Sequence, residues 1–245
     1  MARGVAETRD FPFYDGRPIR ISAAGWALVL AGCAVGFLAL TLSPLIGRSD
    51  AVRLSAIAVF VAAPLVALAL ASGGRWTAIF HRPTLRDVRI GLAFAPLNLL
   101  VTAAIALLVM RRGVTSANPV AALLPQMTDG DLAVFFAGTV PQLLGEELVT
   151  ILPFLAVLSG MIALRAPRPV AIGVAWLSTS LLFGALHLPT YQWRLGQVLL
   201  VIGAARVVLT GAYLLTRNIW SSFIAHLAHD WTLFAAILAI HAAQA

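Results

Sequence analysis

The sequence has 245 residues, of which 60% are hydrophobic and 11% are charged, whereas a typical soluble domain has about 45–50% apolar and about 25% charged residues. This composition excludes an ordinary soluble protein, because a single core in a chain of this size cannot bury so many apolar side chains. The net charge of +7 arises without any lysine. Its arginines lie singly or in pairs between apolar runs, so the composition predicts no nucleic-acid partner.

Seven apolar runs predict an all-α fold, a polytopic transmembrane helical bundle of seven to eight spans, because about 20 apolar residues suffice to cross a bilayer. Before the first run, the aromatic and charged residues of Phe11–Pro18 predict an interfacial N-terminal segment, 1–20. The runs are Ile21–Ile46, Leu54–Ala71, Ile90–Met110, Leu132–Leu164, Val170–Leu186, Leu195–Leu215 and Ile219–Ile240.

Two runs carry further signals. In the first, Gly32 and Gly36 have the spacing of close helix contacts in membranes, although in a chain this rich in Gly and Ala the match is expected by chance. The fourth run, at 33 residues, measures about 50 Å as a helix, against a hydrocarbon thickness of about 30 Å. It is therefore expected to tilt, kink or break near Pro141, Gly145 or Pro153, and it crosses either once or twice.

Arginine is distributed unequally between the two ends of the spans. With the fourth run as one crossing, 11 arginines share the side of the N-terminus and 5 lie on the other side. The positive-inside rule then places the N-terminus in the cytoplasm. The two sets are Arg3, Arg9, Arg17, Arg20, Arg75, Arg82, Arg86, Arg89, Arg165, Arg168 and Arg217 against Arg48, Arg53, Arg111, Arg112 and Arg194.

Ionisable side chains in the spans are confined to the second half of the chain. Each costs at least about 2.5–3.5 kcal/mol in hydrocarbon, so those present tend to be functional. Gln142, Glu146 and Thr150 recur every four residues and predict one polar helix face, whereas the adjacent Glu147 points about 100° away. The full set is Glu146, Glu147, His187, Arg206, His226, His229 and Asp230.

Three pairs among these residues resemble, in order, the motifs of the CAAX protease and bacteriocin-processing (CPBP, or ABI) family of intramembrane endopeptidases. They are Glu146-Glu147, Phe183-x-x-x-His187 and His226-x-x-x-Asp230. The resemblance predicts a catalytic helical core at 132–240, with 21–131 as accessory transmembrane helices. The family's first motif usually continues as Glu-Glu-x-x-x-Arg, and the arginine position here is Ile151.

The resemblance implies that Glu146 activates a water for attack on a peptide carbonyl, with His187 assisting. Glu147 would be the supporting carboxylate, while His226 and Asp230 would stabilise the oxyanion or hold the water. Imidazoles suit these roles because they can donate hydrogen bonds to developing negative charge. The catalytic set is then Glu146, Glu147, His187, His226 and Asp230.

Two further expectations concern charge and metal. Arg206, the one arginine deep in a span, is predicted to supply the positive charge that Ile151 lacks. A zinc ion held by Glu146, His187 and His226 is an alternative that the mechanism does not require. Depth along the spans, however, separates His187 from the other two by about 15 Å.

The predicted function is an intramembrane endopeptidase of the plasma (inner) membrane. Its partners would be the lipid bilayer and a membrane-associated peptide or protein tail as substrate. One alternative is a non-proteolytic relative, a scaffold or immunity protein for another membrane protein, which the Ile151 departure favours. A proton-coupled transporter is a third, in which Glu, His and Asp form a relay.

Overall fold

The computed structural model describes residues 9–113 and 115–244, so Arg3 and the first eight residues of the predicted N-terminal segment lie outside it. Within those ranges all the long elements are helices, and seven are long and apolar enough to cross a membrane. The predicted all-α, polytopic bundle is thereby confirmed.

The helices follow the apolar runs closely. In the sixth span, a π-helical turn at Val198–Ile202 joins α7 to α8. The bounds are α1 Ala23–Ile46, α2 Asp50–Ala71, α3 Leu85–Met110, α4 Pro119–Leu123, α5 Asp129–Ala163, α6 Arg168–Leu186, α7 Leu195–Gln197, α8 Gly203–Thr216 and α9 Ile219–Ala242.

Polar caps determine where several spans begin. Thr84 and Thr128 each form a reciprocal capping box with an aspartate three residues later, at the start of α3 and α5 respectively. Ser22 and Asn218 cap α1 and α9 through their side-chain oxygens. Because these caps satisfy backbone N–H groups that an apolar run leaves free, the spans begin at defined residues.

The fourth apolar run forms one continuous helix, α5, of 35 residues. Pro141 and Pro153 lie inside α5 without ending it, so the expected break is absent and the run has no turn that would allow a second crossing. Helices packed among others in membranes tolerate proline, because neighbouring groups satisfy the freed carbonyls. At about 52 Å, α5 is long enough to tilt or to project beyond the hydrocarbon.

Helix α5 is the centre of the bundle. It packs against α1, α2, α6 and α9, while α8 packs against α3, α6 and α9. The side chains from Glu147 to Leu155 are all buried, among them Leu152 and Leu155. Because α3 lies against α8 and α9, the predicted accessory helices are not a separate layer, and the boundary at residue 132 stays a prediction.

The Gly32–Gly36 spacing marks a true helix contact. A Cβ atom on Gly32 would lie 2.6 Å from Ala67 Cβ, and one on Gly36 would lie 2.9 Å from the Phe60 carbonyl oxygen. The two glycines therefore let α1 approach the backbone of α2, as small residues do in membranes. The expectation of a chance match is wrong.

The N-terminal aromatic residues pack inside the protein. Phe11 lies 5.4 Å from Phe154 and 5.6 Å from Tyr213 between ring centroids, and Phe13 lies 6.3 Å from Trp26. Both phenylalanines are buried, so interfacial anchoring by these rings is wrong. The cytoplasmic N-terminus and the plasma membrane stay predictions from the arginine distribution.

Candidate active site

A buried charged cluster joins three helices at the middle of the bundle. Arg206 on α8 donates from Nη1 to Glu147 Oε1 at 2.7 Å and from Nη2 to Glu147 Oε2 at 2.9 Å. His226 on α9 lies with Nδ1 at 2.9 Å from the same Oε1. Both side chains of the ion pair have no exposed surface. Glu147 thereby connects α5 to α8 and α9.

The guanidinium of Arg206 has further partners. Its Nε donates to Thr210 Oγ1 at 3.1 Å, and its Cζ lies 5.1 Å from the centroid of the Phe183 ring on α6. A bidentate pair with an additional acceptor and an aromatic face is the geometry in which a buried arginine is stabilised. Arg206 is therefore held as a fixed positive charge.

Glu146 faces a different environment from its neighbour. Its side chain is 16% exposed, and Gln142 donates to Oε1 at 3.3 Å. The Nε2 atom of His226 lies 3.8 Å from Glu146 Oε2 and 3.9 Å from Asp230 Oδ2, beyond direct hydrogen bonding. The structure therefore brings Glu146, Glu147, Arg206, His226 and Asp230 together.

The contact with Glu147 determines the tautomer of His226. A carboxylate accepts hydrogen bonds and cannot donate them, so Nδ1 of His226 carries the proton that it shares with Glu147. In the neutral imidazole, Nε2 is then the free acceptor, directed at Glu146 and Asp230. This arrangement matches the common pattern in which a carboxylate orients a working histidine.

His187 lies apart from this cluster. It follows the last residue of α6, and its Nδ1 donates to the Phe183 carbonyl at 2.8 Å. Its ring lies 4.7 Å from the Phe183 ring, which in turn is 6.3 Å from His226. Phe183 therefore packs against both histidines, and His187 has no ion pair with Glu146 or Asp230.

The candidate zinc ligands do not converge. In the part of the chain that the structure describes, no three His, Cys, Asp or Glu side chains form a cluster able to hold a metal ion. His187 is turned toward the Phe183 carbonyl, while His226 is engaged with Glu147. The predicted set of Glu146, His187 and His226 is therefore not a preformed metal site.

Sequence reasoning missed Tyr191, in the turn after α6. Its side chain is largely buried, and its phenol oxygen accepts a hydrogen bond from Asn118 Nδ2 at 3.3 Å. Burial is the main cause that raises the pKa of Tyr191; the hydrogen bond with Asn118 lowers it, and the charges of Asp230 and Glu146 add to the increase. The phenol therefore keeps its proton, which is free to be donated because the oxygen accepts from Asn118. A lone aromatic residue in a turn carries no periodic signal that would have revealed it.

The position of the missing motif arginine is part of the core. Ile151 is fully buried among apolar side chains, one helical turn after Glu147. Arg206 reaches the Glu147 carboxylate from a different helix. The geometry is compatible with the hypothesis that Arg206 supplies the charge that Ile151 lacks.

Fold and site together define a polytopic helical membrane protein with an intramembrane carboxylate–imidazole site. Residues 128–232 match the family model described as type II CAAX prenyl endopeptidase, Rce1-like. This segment runs from the cap of α5 into α9 and contains all the residues of the cluster, and over it the predicted resemblance to the CAAX protease family is confirmed. Among curated proteins and solved structures, none matches the chain. The family supports an intramembrane endopeptidase.

Proposed function

We propose that the protein hydrolyses peptide bonds of membrane-associated peptides or protein tails through a water activated by Glu146. The observation that carries this proposal is the different engagement of two adjacent carboxylates. Glu147 is fully buried and committed to Arg206 and His226, whereas Glu146 is partly exposed and has no charged partner closer than 3.8 Å. One carboxylate therefore holds the site together, and the other is free to act on a substrate.

The nucleophile would lie between Glu146 and His226. Glu146 Oε2 and His226 Nε2 are 3.8 Å apart. A single water can therefore lie at a hydrogen-bonding distance of about 2.8 Å from both acceptors. Such a water donates a proton toward each acceptor and directs a lone pair at the substrate carbonyl. Positioning of this kind is the geometric requirement for general base catalysis.

The reaction then has two proton transfers. The water oxygen forms a bond to the carbonyl carbon as one water proton passes to Glu146, and the carbonyl π electrons move to its oxygen. When the tetrahedral intermediate collapses, the C–N bond breaks and Glu146 returns its proton to the leaving amine. Glu146 thus acts first as a base and then as an acid.

The oxyanion would be stabilised by donors around the cluster. Tyr191 can donate its phenol proton, because its oxygen already accepts from Asn118. Asp230 Oδ2 lies 3.9 Å from His226 Nε2 and would help to hold the water there. His187 would contact the bound substrate from the end of α6 rather than exchange protons with Glu146. A donor that strengthens its bond to developing negative charge lowers the barrier.

The test is hydrolysis of a panel of membrane peptides by purified protein in detergent. Glu146→Gln keeps the shape of the side chain but removes the base, so the rate should fall at least about 100-fold. Asp131→Asn, in the exposed cap of the same helix, is the matched control and should cleave like wild type. Equal hydrolysis by Glu146→Gln and wild type would contradict the proposal.

A non-proteolytic scaffold is the second candidate, and two observations favour it. Ile151 replaces the motif arginine, and Nδ1 of His187 is engaged with the Phe183 carbonyl rather than with a carboxylate. Under this alternative the wild-type protein cleaves no peptide of the panel, and cells carrying Glu146→Gln keep the wild-type phenotype. Its partner would be another membrane protein.

A further inference from the structure

A polar cavity lies at the C-terminal end of α8. Its volume is about 1250 Å³. The walls are the N-terminal segment, the connection before α3, the start of α6 and the end of α8. Arg217 in its wall lies 11 residues after Arg206, or about 16 Å along a helix. The cavity is therefore distinct from the candidate active site.

Five arginines and three aspartates line this cavity, which leaves a surplus of two positive charges. Each aspartate is already paired with an arginine, and two arginines have no carboxylate within ion-pair distance in the described ranges. The pairs are Arg9–Asp87 at 2.8 Å, Arg168–Asp10 at 2.6 Å and Arg17–Asp15. The arginines left over are Arg86 and Arg217.

Two buried nitrogens in the same wall are without hydrogen-bond partners. Among the residues that the structure describes, neither Arg217 Nε nor His81 Nε2, both shielded from solvent, has a hydrogen-bond partner. The Arg217 guanidinium lies 4.9 Å from the Phe11 ring centroid, which holds it in place, and Arg86 Nη2 donates to the Leu215 carbonyl at 3.3 Å. A buried donor such as Arg217 Nε is unfavourable without an acceptor, so a ligand that supplies acceptors is favoured.

We propose that this cavity binds a phosphate-bearing anion. A phosphate group presents several acceptor oxygens and up to two negative charges, which matches Arg86, Arg217 and His81 better than a single carboxylate does. The cavity lies at the arginine-rich ends of the helices, where phospholipid headgroups meet basic pockets between spans. The phosphate of an anionic phospholipid and free inorganic phosphate share this chemistry.

The experiment measures binding to the full-length protein in detergent by native mass spectrometry, with phosphatidylglycerol, phosphatidylcholine and inorganic phosphate as probes. Wild type should retain phosphatidylglycerol at least about ten times more than phosphatidylcholine if the headgroup is the ligand. Competition by inorganic phosphate, without lipid selectivity, identifies the free ion instead. Both outcomes support an anion site.

Variants decide whether the cavity is responsible. Arg86→Gln and Arg217→Asn should each reduce retention of the bound probe about tenfold. Asparagine is chosen at position 217 because Arg217 has φ 53°, a backbone conformation that asparagine tolerates. Arg89→Gln, exposed one turn along α3 and outside the cavity wall, is the matched control. If Arg217→Asn does not fold, Arg86→Gln decides alone. Equal retention by Arg86→Gln, Arg89→Gln and wild type would overturn the proposal.

Discussion

Removing the Arg206 guanidinium should destabilise the bundle strongly. In Arg206→Met, Glu147 loses two hydrogen bonds of 2.7 and 2.9 Å and keeps only the contact with His226. Breaking one partner of a buried ion pair costs about 3–5 kcal/mol, because the other charge stays buried without compensation. For a chain of this size, that loss corresponds to a decrease of roughly 6–20 °C in Tm.

The assay is thermal unfolding in detergent, combined with peptide hydrolysis. Arg111→Met, at the exposed end of α3, is the matched control and should leave Tm unchanged. The double variant Arg206→Met/Glu147→Gln removes both charges but keeps an acceptor for His226, so it should recover most of the lost Tm.

Two results would refute this reasoning. A Tm for Arg206→Met equal to that of wild type would mean that the ion pair contributes nothing to the fold. Additive losses in the double variant would mean that Arg206 and Glu147 act independently. Recovery of Tm without recovery of hydrolysis would instead show that the pair also positions the site.

Two other predictions concern the turn after α6 and the N-terminal segment. Tyr191→Phe should lower kcat about 100-fold with little change in KM, because only the oxyanion donor is lost; an unchanged kcat would exclude that role. Burial alone would raise the pKa of Asp10, but its hydrogen bonds with Tyr14 and Arg168 hold that pKa below its usual value. The ionised Asp10 carboxylate should therefore stabilise the fold fully at pH 7, and this stabilisation should disappear as pH falls below about 4. The Tm values of wild type and Asp10→Asn should then converge at low pH. A difference in Tm that does not change with pH would contradict the prediction.

Much of the fold was predictable because membrane spans depend on local composition. An apolar run such as Ile21–Ile46 needs no partner to be stable as a helix in lipid, and α1 covers nearly the same residues. The polar cluster was predictable for a related reason. Ionisable residues in hydrocarbon are costly, so Glu147 and Arg206 stood out before their contact was known.

What could not be predicted depends on tertiary surfaces. Phe11 has the composition of an interfacial anchor, and only the hydrophobic surface formed by α5 and α8 explains its burial. Tyr191 lies in a turn, where no periodicity shows what it faces. Pro153 looks like a helix break, but its effect depends on neighbours that compensate for the missing N–H.

The links made by Glu147 have a consequence for how the chain is assembled in its membrane. Arg206 and His226 follow Glu147 by 59 and 79 residues, so α5 is synthesised well before either partner. During insertion, α5 carries a carboxylate that later helices must neutralise, and chains truncated before α8 expose it to lipid. Until α8 is inserted, this carboxylate therefore lacks the cation that stabilises it in the finished protein.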